Sequence, residues 1–242
     1  MHQTNGGVFL NARLLTEKPC EAHLQLAINQ ACLESVQEGA SPLIRVYYPS
    51  KSVSLGCFQC LTDEISVSEA RQEAIDIVRR VTGGGAFYHE QEVRYTVIAP
   101  ERFFSEDVKK SYGQLTKPVM QALASLGIQT QFHPMDNLVL DGAKVGWCAQ
   151  AREQGVVLHE GGVLVSANQQ AMTRYLLQHR NDGLPVRGVN EKGVSEEQLL
   201  SAVRKQLQKT YNATKKSLTA KELTRAQELT ATYSDESWVG MR

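Results

Sequence analysis

Between Arg79 and Glu90 the chain reads Arg-Arg-Val-Thr-Gly-Gly-Gly-Ala-Phe-Tyr-His-Glu. Three consecutive glycines are expensive in an ordered element, about 0.5–1 kcal/mol each relative to alanine. Such a run is kept where a ligand must approach bare backbone. The neighbours suit an anion. Exposed glycine N–H groups can ring one, the planar fork of arginine matches phosphate and carboxylate, and Thr82 adds a hydroxyl. A tight turn between two strands is the plainer explanation of the glycines alone. The run is neither common nucleotide loop: Ala86-Phe87 stand where a Walker loop needs Lys then Ser/Thr, and the dinucleotide fingerprint has another spacing and opens a helix. Here apolar Ile75 to Val78 reads as a strand before the loop, and Ala86 to His89 as a strand after it.

A second group lies downstream. Asp141-Gly142 signals a tight hairpin, and Lys144 follows it. Strict alternation along that strand places Lys144, Gly146, Cys148 and Gln150 on one face, and Val145, Trp147 and Ala149 on the other. A lysine after a hairpin is most often a solvated cation, and a lone strand histidine such as His159 is most often structural. Cys57-x-x-Cys60 lacks the second cysteine pair that zinc sites normally use.

The pattern RR-x-TGGGA-x-x-H resembles the signature of lipoate–protein ligases and of their octanoyl- and lipoyl-transferase relatives, which share a catalytic fold with biotin protein ligases. Asp136 to Gly146 is similar to the family's second motif, an Asn-Asp-Leu segment followed by Lys-x-x-Gly. The resemblance implies that Lys144 contacts the acyl carboxylate and the α-phosphate. There it would stabilise charge developing at phosphorus. Asp136-Asn137 reverses the usual order; Asp136 is assigned to Mg²⁺ because a carboxylate suits a hard cation. Trp147-Cys148 replaces a pair of small residues and reshapes the acyl pocket. His159-Glu160-Gly161-Gly162 resembles the third motif, His-His-Gly-Thr, and His159 matches it. Arg187-Gly188-Val189-Asn190 is similar to the segment after a mobile loop that closes over the adenylate. Arg45, Gly56-x-x-Gln59 and the tail from Tyr233 to Trp238 also resemble family positions.

The implied activity is that of a lipoate–protein ligase, which joins lipoate or octanoate to ATP with Mg²⁺ and passes the acyl group to a lysine of a lipoyl carrier domain. The implied binding set is Arg45, Arg80, Thr82, Gly83, Gly84, Gly85, Ala86, His89, Asp136, Asn137, Lys144, Gly146 and His159, with Lys144 catalytic. The alternative is an octanoyl or lipoyl transferase acting without ATP activation, or through a cysteine thioester. Related thioester enzymes place their cysteine before the second-motif lysine or near the segment of Arg187. Neither stretch holds one here, and Cys148 is the remaining candidate. A non-catalytic lipoate-binding or carrier-docking protein is the reading of another class. The closing motif is followed by Val239 to Arg242 alone, so the chain is expected to be one catalytic domain over residues 1–242, with an accessory domain supplied, if needed, by a separate protein.

Composition sets the frame. Apolar residues make up 42% and charged residues 21% of 242, as in an ordinary globular protein. Lysine plus arginine equals aspartate plus glutamate at 26 each, which argues against broad nucleic-acid or membrane-surface binding. The N-terminus lacks a secretory pattern, and five cysteines do not form an even disulfide framework, so a cytoplasmic protein is expected. The predicted elements begin with a strand over 8–15 and a helix opened by Pro19 and ended by Gly39. Strands over 43–48 and 52–57 follow, joined by a turn at Pro49-Ser50-Lys51, and then a helical span from its N-cap Ser105 to Leu126, which Pro118 kinks or divides into two helices. Strands dominate to Val165, and two capping boxes, Ser195-x-x-Gln198 and Thr219-x-x-Glu222, open late helices. The tail from Tyr233 reads as irregular. Mixed strands and helices with several hairpins predict an α+β domain, its sheet mainly antiparallel.

Overall fold

The computed structural model describes residues 10–16, 20–133, 136–177 and 184–242. In chain order the strands are β1 (Arg13–Leu15), β2 (Leu43–Tyr47), β3 (Ser52–Leu55), β4 (Asp76–Arg79), β5 (Phe87–His89), β6 (Glu92–Pro100), β7 (Gln131–His133), β8 (Asn137–Leu140), β9 (Ala143–Glu153), β10 (Val156–Leu164) and β11 (Thr214–Lys216). The helices are α1 (Ala22–Gln37), α2 (Leu61–Glu64), α3 (Val67–Gln72), α4 (Val108–Ser125), α5 (Gln169–Tyr175), α6 (Glu196–Thr210), α7 (Ala220–Ser234) and α8 (Glu236–Val239).

The strands form two sheets. The large one has the order β11-β1-β2-β6-β10-β9-β8-β7, and the small one β4-β3-β5. Pairing is mainly antiparallel, with parallel contacts at β11–β1–β2 and β3–β4. This is the expected α+β architecture. One face of the large sheet packs Ile44, Val97 and Val157 against Leu115 and Val119 of α4 and Val203 and Leu207 of α6. The opposite face packs Ile98 and Leu158 against Leu26 and Ala27 of α1 and Ala226 and Leu229 of α7. The small sheet has its own core with α3 and α5, including Val53, Leu55, Ala70 and Met172.

Local signals set the punctuation. Gly39 leaves α1 with φ 101°, a conformation cheap only for glycine. Asp141 and Gly142, at φ 49° and 74°, make the β8–β9 hairpin, and Gln154-Gly155 repeats the device between β9 and β10 at 48° and 75°. Both capping boxes are complete. Three expectations need correction. β2 and β3 enter different sheets and do not form a hairpin. The N-cap of α4 is Asp107, whose carboxylate accepts from the Lys110 amide, and the helix runs on through Pro118. The tail is helical over α8, anchored by Arg79, whose Nε and Nη2 donate to the Val239 carbonyl at 2.9 and 2.6 Å. Strand β11 carries no apolar signal, since all three of its residues are exposed. Pro19 and the start of the first expected strand lie outside the described residues.

Candidate active site

The glycine loop joins β4 to β5 and lies against the face of the large sheet that bears α1. It is built around Arg80. The guanidinium is fully buried. It donates to the Gly83 and Gly85 carbonyls at 3.0 Å each, to the Ser54 carbonyl at 3.1 Å, to Ser54 Oγ at 2.6 Å and to Thr82 Oγ1 at 3.2 Å. Arg80 therefore shapes the loop from inside, and its fork is committed to protein oxygens rather than to a phosphate. Gly84, exposed at the tip, takes φ 93°. The Gly83 amide points to the Gln150 carbonyl at 3.4 Å. Ala86 sits at the edge of the small-sheet core.

A chain of hydrogen bonds runs on from Arg80. Ser54 Oγ, which accepts from Arg80, lies 2.6 Å from His89 Nε2, and His89 Nδ1 lies 2.6 Å from Glu92 Oε1. Glu92 Oε2 accepts from the Trp147 indole at 2.8 Å. This order fixes the tautomer: His89 donates from Nδ1 to the carboxylate and accepts from Ser54 at Nε2. Burial lowers the His89 pKa despite the carboxylate beside it, so the ring is neutral. Burial works against ionisation of Glu92, yet His89 and Arg94 hold its pKa below the usual carboxylate range.

Glu160 ties the loop to the sheet. Its Oε1 accepts from Thr82 Oγ1 at 2.6 Å and lies 3.7 Å from Arg80 Nε. Its Oε2 accepts from Arg94 Nη2 at 2.8 Å and from Asn29 Nδ2 of α1 at 3.4 Å. Arg45 reaches the same cluster through Asn29 Oδ1 and the Gln25 carbonyl. Arg45, Arg94 and Glu160 are each at most 3% exposed, so these charges act in a medium where pairing matters strongly.

Lys144 joins this face through an irregularity. In the β8–β9 ladder Leu138 pairs with Gly146 and Val139 with Lys144, so Val145 is one extra residue, a β-bulge. The bulge reverses the alternation. Lys144 therefore shares a side with Trp147: its Nζ lies 4.7 Å from the centroid of the Phe87 ring, and Phe87 stacks on Trp147 at 4.6 Å. Cys148 faces the other way, where Thr116 of α4 reaches its sulfur at 3.6 Å. The expectation that Lys144 and Cys148 share a face is corrected on this ground. The Cys148 thiol is 1% exposed, and burial pushes its pKa up to about 12.

The main chain of Lys144 is held by a later segment. Its amide donates to the Pro185 carbonyl at 2.7 Å, and its carbonyl accepts from the Arg187 amide at 2.9 Å. His159 lies on the α4 side, away from Arg80 and Glu160. It rests 3.2 Å from the Tyr95 hydroxyl and 3.2 Å from Gln150 Nε2, and burial drives its pKa down to about 3. In the His-Glu-Gly-Gly stretch it is the second residue, Glu160, that faces the loop. Gly146 has no room for a side chain because a Cβ would meet the Gly162 carbonyl at 2.7 Å. Asn137 is buried in β8, and the Asp136 carbonyl accepts from the Cys148 amide at 2.9 Å. Among the described residues no three His, Cys, Asp or Glu side chains gather as a metal site. Likewise, no helix there is long and apolar enough to cross a membrane.

The structure thus brings Arg45, Arg80, Thr82, the glycines, His89 and Lys144 to one side, and adds Asn29, Ser54, Glu92, Arg94, Trp147 and Glu160. The missed strand residues had a signal. Glu92-Val93-Arg94-Tyr95-Thr96-Val97 alternates perfectly, yet both faces are buried, so its polar face had to meet an internal polar site.

The site is thus a buried lysine beside a glycine loop, carried on a mixed sheet. Residues 21–218 match the Lipoyl protein ligase A/B catalytic domain, and the chain belongs to that family. It is 29% identical over 185 aligned positions to Octanoyltransferase LipM of Lysinibacillus sphaericus, covering 65% of this chain and 67% of that one. To Octanoyltransferase LipM of Staphylococcus aureus it is 24% identical over 260 aligned positions, covering 90% and 94%. Among solved structures, a bi-partite lipoate protein ligase from Thermoplasma acidophilum, studied with its E2 lipoyl domain, superposes with a TM-score of 0.86 at 24% identity, over 96% of this chain and 98% of that one. A structure of the T. acidophilum protein Ta0514 with bound lipoic acid gives 0.83 at 25% identity, over 95% and 99%. The curated relatives overturn one expectation. They are octanoyltransferases, so the reading as an ATP-dependent, acyl-adenylate-forming ligase is corrected.

Proposed function

We propose that this chain is an octanoyl or lipoyl transferase, which moves an acyl group from an already activated thioester donor to the lysine amine of a lipoyl carrier domain. The observation that carries the reading is the likeness to octanoyltransferases along most of the chain, and the site is consistent with it. In balance, the C–S bond of the donor breaks, a C–N bond to the lysine forms, the amine proton passes to the leaving thiolate, and an amide and a free thiol result.

Lys144 is the group to stabilise the tetrahedral intermediate. Its ammonium can face the carbonyl oxygen as negative charge develops there, an interaction stronger in the transition state than in the ground state. The segment at 185–187 keeps the lysine in register. The relay from Arg80 to Glu92 and the Glu160 hub fix the loop against which the donor lies. A thioester on Cys148 is disfavoured, since the nucleophile must be a thiolate and this thiol is buried, raised in pKa and turned toward α4. Direct transfer is therefore the favoured route.

The test is incubation of the purified chain with an octanoyl-thioester carrier and a lipoyl domain, without ATP, read by intact mass. Gain of one octanoyl group on the lipoyl domain supports the proposal. Strict dependence on ATP, with AMP released, refutes it.

A further inference from the structure

Strand β10 pairs with β9 as far as Gly146. Further along β9, at Lys144, the segment Pro185–Arg187 takes over. It bonds the Lys144 main chain twice, through the Pro185 carbonyl at 2.7 Å and the Arg187 amide at 2.9 Å, with Val186 running parallel alongside. What places this segment therefore places the backbone from which Lys144 reaches the site.

The segment is seated by Gly188, the residue after Arg187. The backbone of Gly188 is extended, at φ −102° and ψ 154°, so any residue could adopt it. Space is what demands glycine. A Cβ there would meet the Val165 carbonyl oxygen at 2.2 Å, the Ser166 Cα at 2.4 Å and Asn190 Oδ1 at 2.7 Å. Two of these are main-chain atoms, and they are fixed. The Val165 and Ser166 amides donate to the Gln91 carbonyl at 2.8 and 3.3 Å, and the Val165 carbonyl accepts from the Asn190 amide at 3.0 Å. On the other side Pro185 and Arg187 are exposed, and the Val186 carbonyl accepts from Gln169 Nε2 at 2.5 Å. A side chain at position 188 thus displaces the exposed segment and leaves the sheet in place. Ordinary heavy-atom contact begins near about 3.5 Å, so the displacement is on the order of 1 Å.

We propose that Gly188 is a positioning residue for acyl transfer: it lets the 185–187 segment lie against the end of β10, and so aims Lys144. This rests on the transferase reading above, in which Lys144 meets the developing oxyanion, and extends it to the residue that sets the lysine's place. Misplacing a reacting group by about 1 Å costs roughly 10²-fold in rate. A contact made only in the transition state is lost from kcat and leaves KM unchanged.

The test compares the parent with G188A, Q169A and Q169K, each checked for folding by circular dichroism. Octanoyl transfer from a thioester carrier to a lipoyl domain gives kcat and KM. Amide hydrogen exchange, read by mass spectrometry of fragments, gives the protection of the Lys144 N–H. In G188A kcat should fall about 10²-fold, with KM for the thioester carrier unchanged and protection at Lys144 lost. Q169A releases the Val186 carbonyl and should show the same pattern at roughly 2–10-fold, the worth of one hydrogen bond. Q169K keeps a donor there and should recover the loss. A fall in kcat smaller than about tenfold in folded G188A, a loss expressed in KM, or unchanged protection at Lys144 overturns the assignment. Should G188A fail to fold, the other two variants decide: no loss in Q169A, or no recovery in Q169K, overturns it. If the parent transfers no octanoyl group without ATP, the transferase reading fails, and exchange at Lys144 alone decides whether Gly188 places that residue.

Discussion

Glu160 is the carboxylate on which the site hangs, and removing it gives a measurable loss of stability. Its Oε2 takes a 2.8 Å hydrogen bond from Arg94. Arg94 is 3% exposed, its Nε has no hydrogen-bond partner, and its next carboxylate, Glu92, stands at 3.9 Å. Glu160→Leu leaves that guanidinium buried and poorly paired, which typically costs about 3–5 kcal/mol. In a chain of this size 1 kcal/mol moves Tm by about 2–4 °C, so a fall of roughly 10 °C is expected. Glu160→Gln should be milder. Its carbonyl can still accept from Arg94 and its amide can donate to Thr82, leaving the charge-assisted part, about 1.5–3 kcal/mol, as the loss. The decisive arm is the double variant Glu160→Leu with Arg94→Met. Removing both partners together should recover much of the stability, because replacing a whole buried pair by apolar groups is often neutral. Urea unfolding with a constant m-value is the assay. A cost under 1 kcal/mol for Glu160→Leu, or strict additivity in the double variant, refutes the hub.

Lys144→Ala should lower acyl transfer by about 10²–10³, the usual loss for one transition-state contact, with the fold intact by circular dichroism; transfer near the parent rate would remove Lys144 from the chemistry. Cys148→Ala should leave transfer unchanged, and in the native protein iodoacetamide should reach Cys20, Cys57 and Cys60 well before buried Cys32 and Cys148; early labelling of Cys148 contradicts its burial. Glu222 predicts an acid response. Burial opposes its charge, but bidentate Arg13 at 2.6 and 3.0 Å brings its pKa down to about 2. The pKa is lower folded than unfolded, so the stabilisation, up to about 3 kcal/mol, is complete above pH about 4.5 and is lost as the pH falls toward 2. The stability gap between the parent and Glu222→Gln should be constant from pH 7 to 5 and close below that; a gap unchanged at pH 3 counts against the linkage.

What was legible in the sequence was local. The capping boxes, the Asp141-Gly142 turn and Gly39 each act within a few residues, and their elements lie where those residues place them. Pairing at a distance was not legible: nothing near Arg13 announces that β1 runs parallel to both β2 and β11. The site divided along the same line. The glycine loop, Arg80, His89 and Lys144 carry motif signals. Glu160 has no motif signal of its own, and His159, which matches the motif, lies on the opposite face of the strand. The side of β9 was misread because a bulge adds one residue to one strand of a ladder, and only the partner strand shows it. Arg80 suits a phosphate by its chemistry, but no composition rule says that five nearby protein oxygens will take its donors first.

The reach of Glu160 has a consequence for how the protein gains activity as it folds. One carboxylate gathers groups 131, 78 and 66 residues away along the chain. Contacts of such separation form late, since loop-closure entropy must be overcome before they contribute. The helices can appear early, with their caps and near-neighbour packing, while the catalytic face is still unassembled. Refolding followed by ellipticity should therefore run ahead of refolding followed by acyl transfer. A ribosome-bound chain that stops before β10 lacks Glu160 altogether, and so exposes Arg80, Arg94 and the glycine loop without the group that joins them.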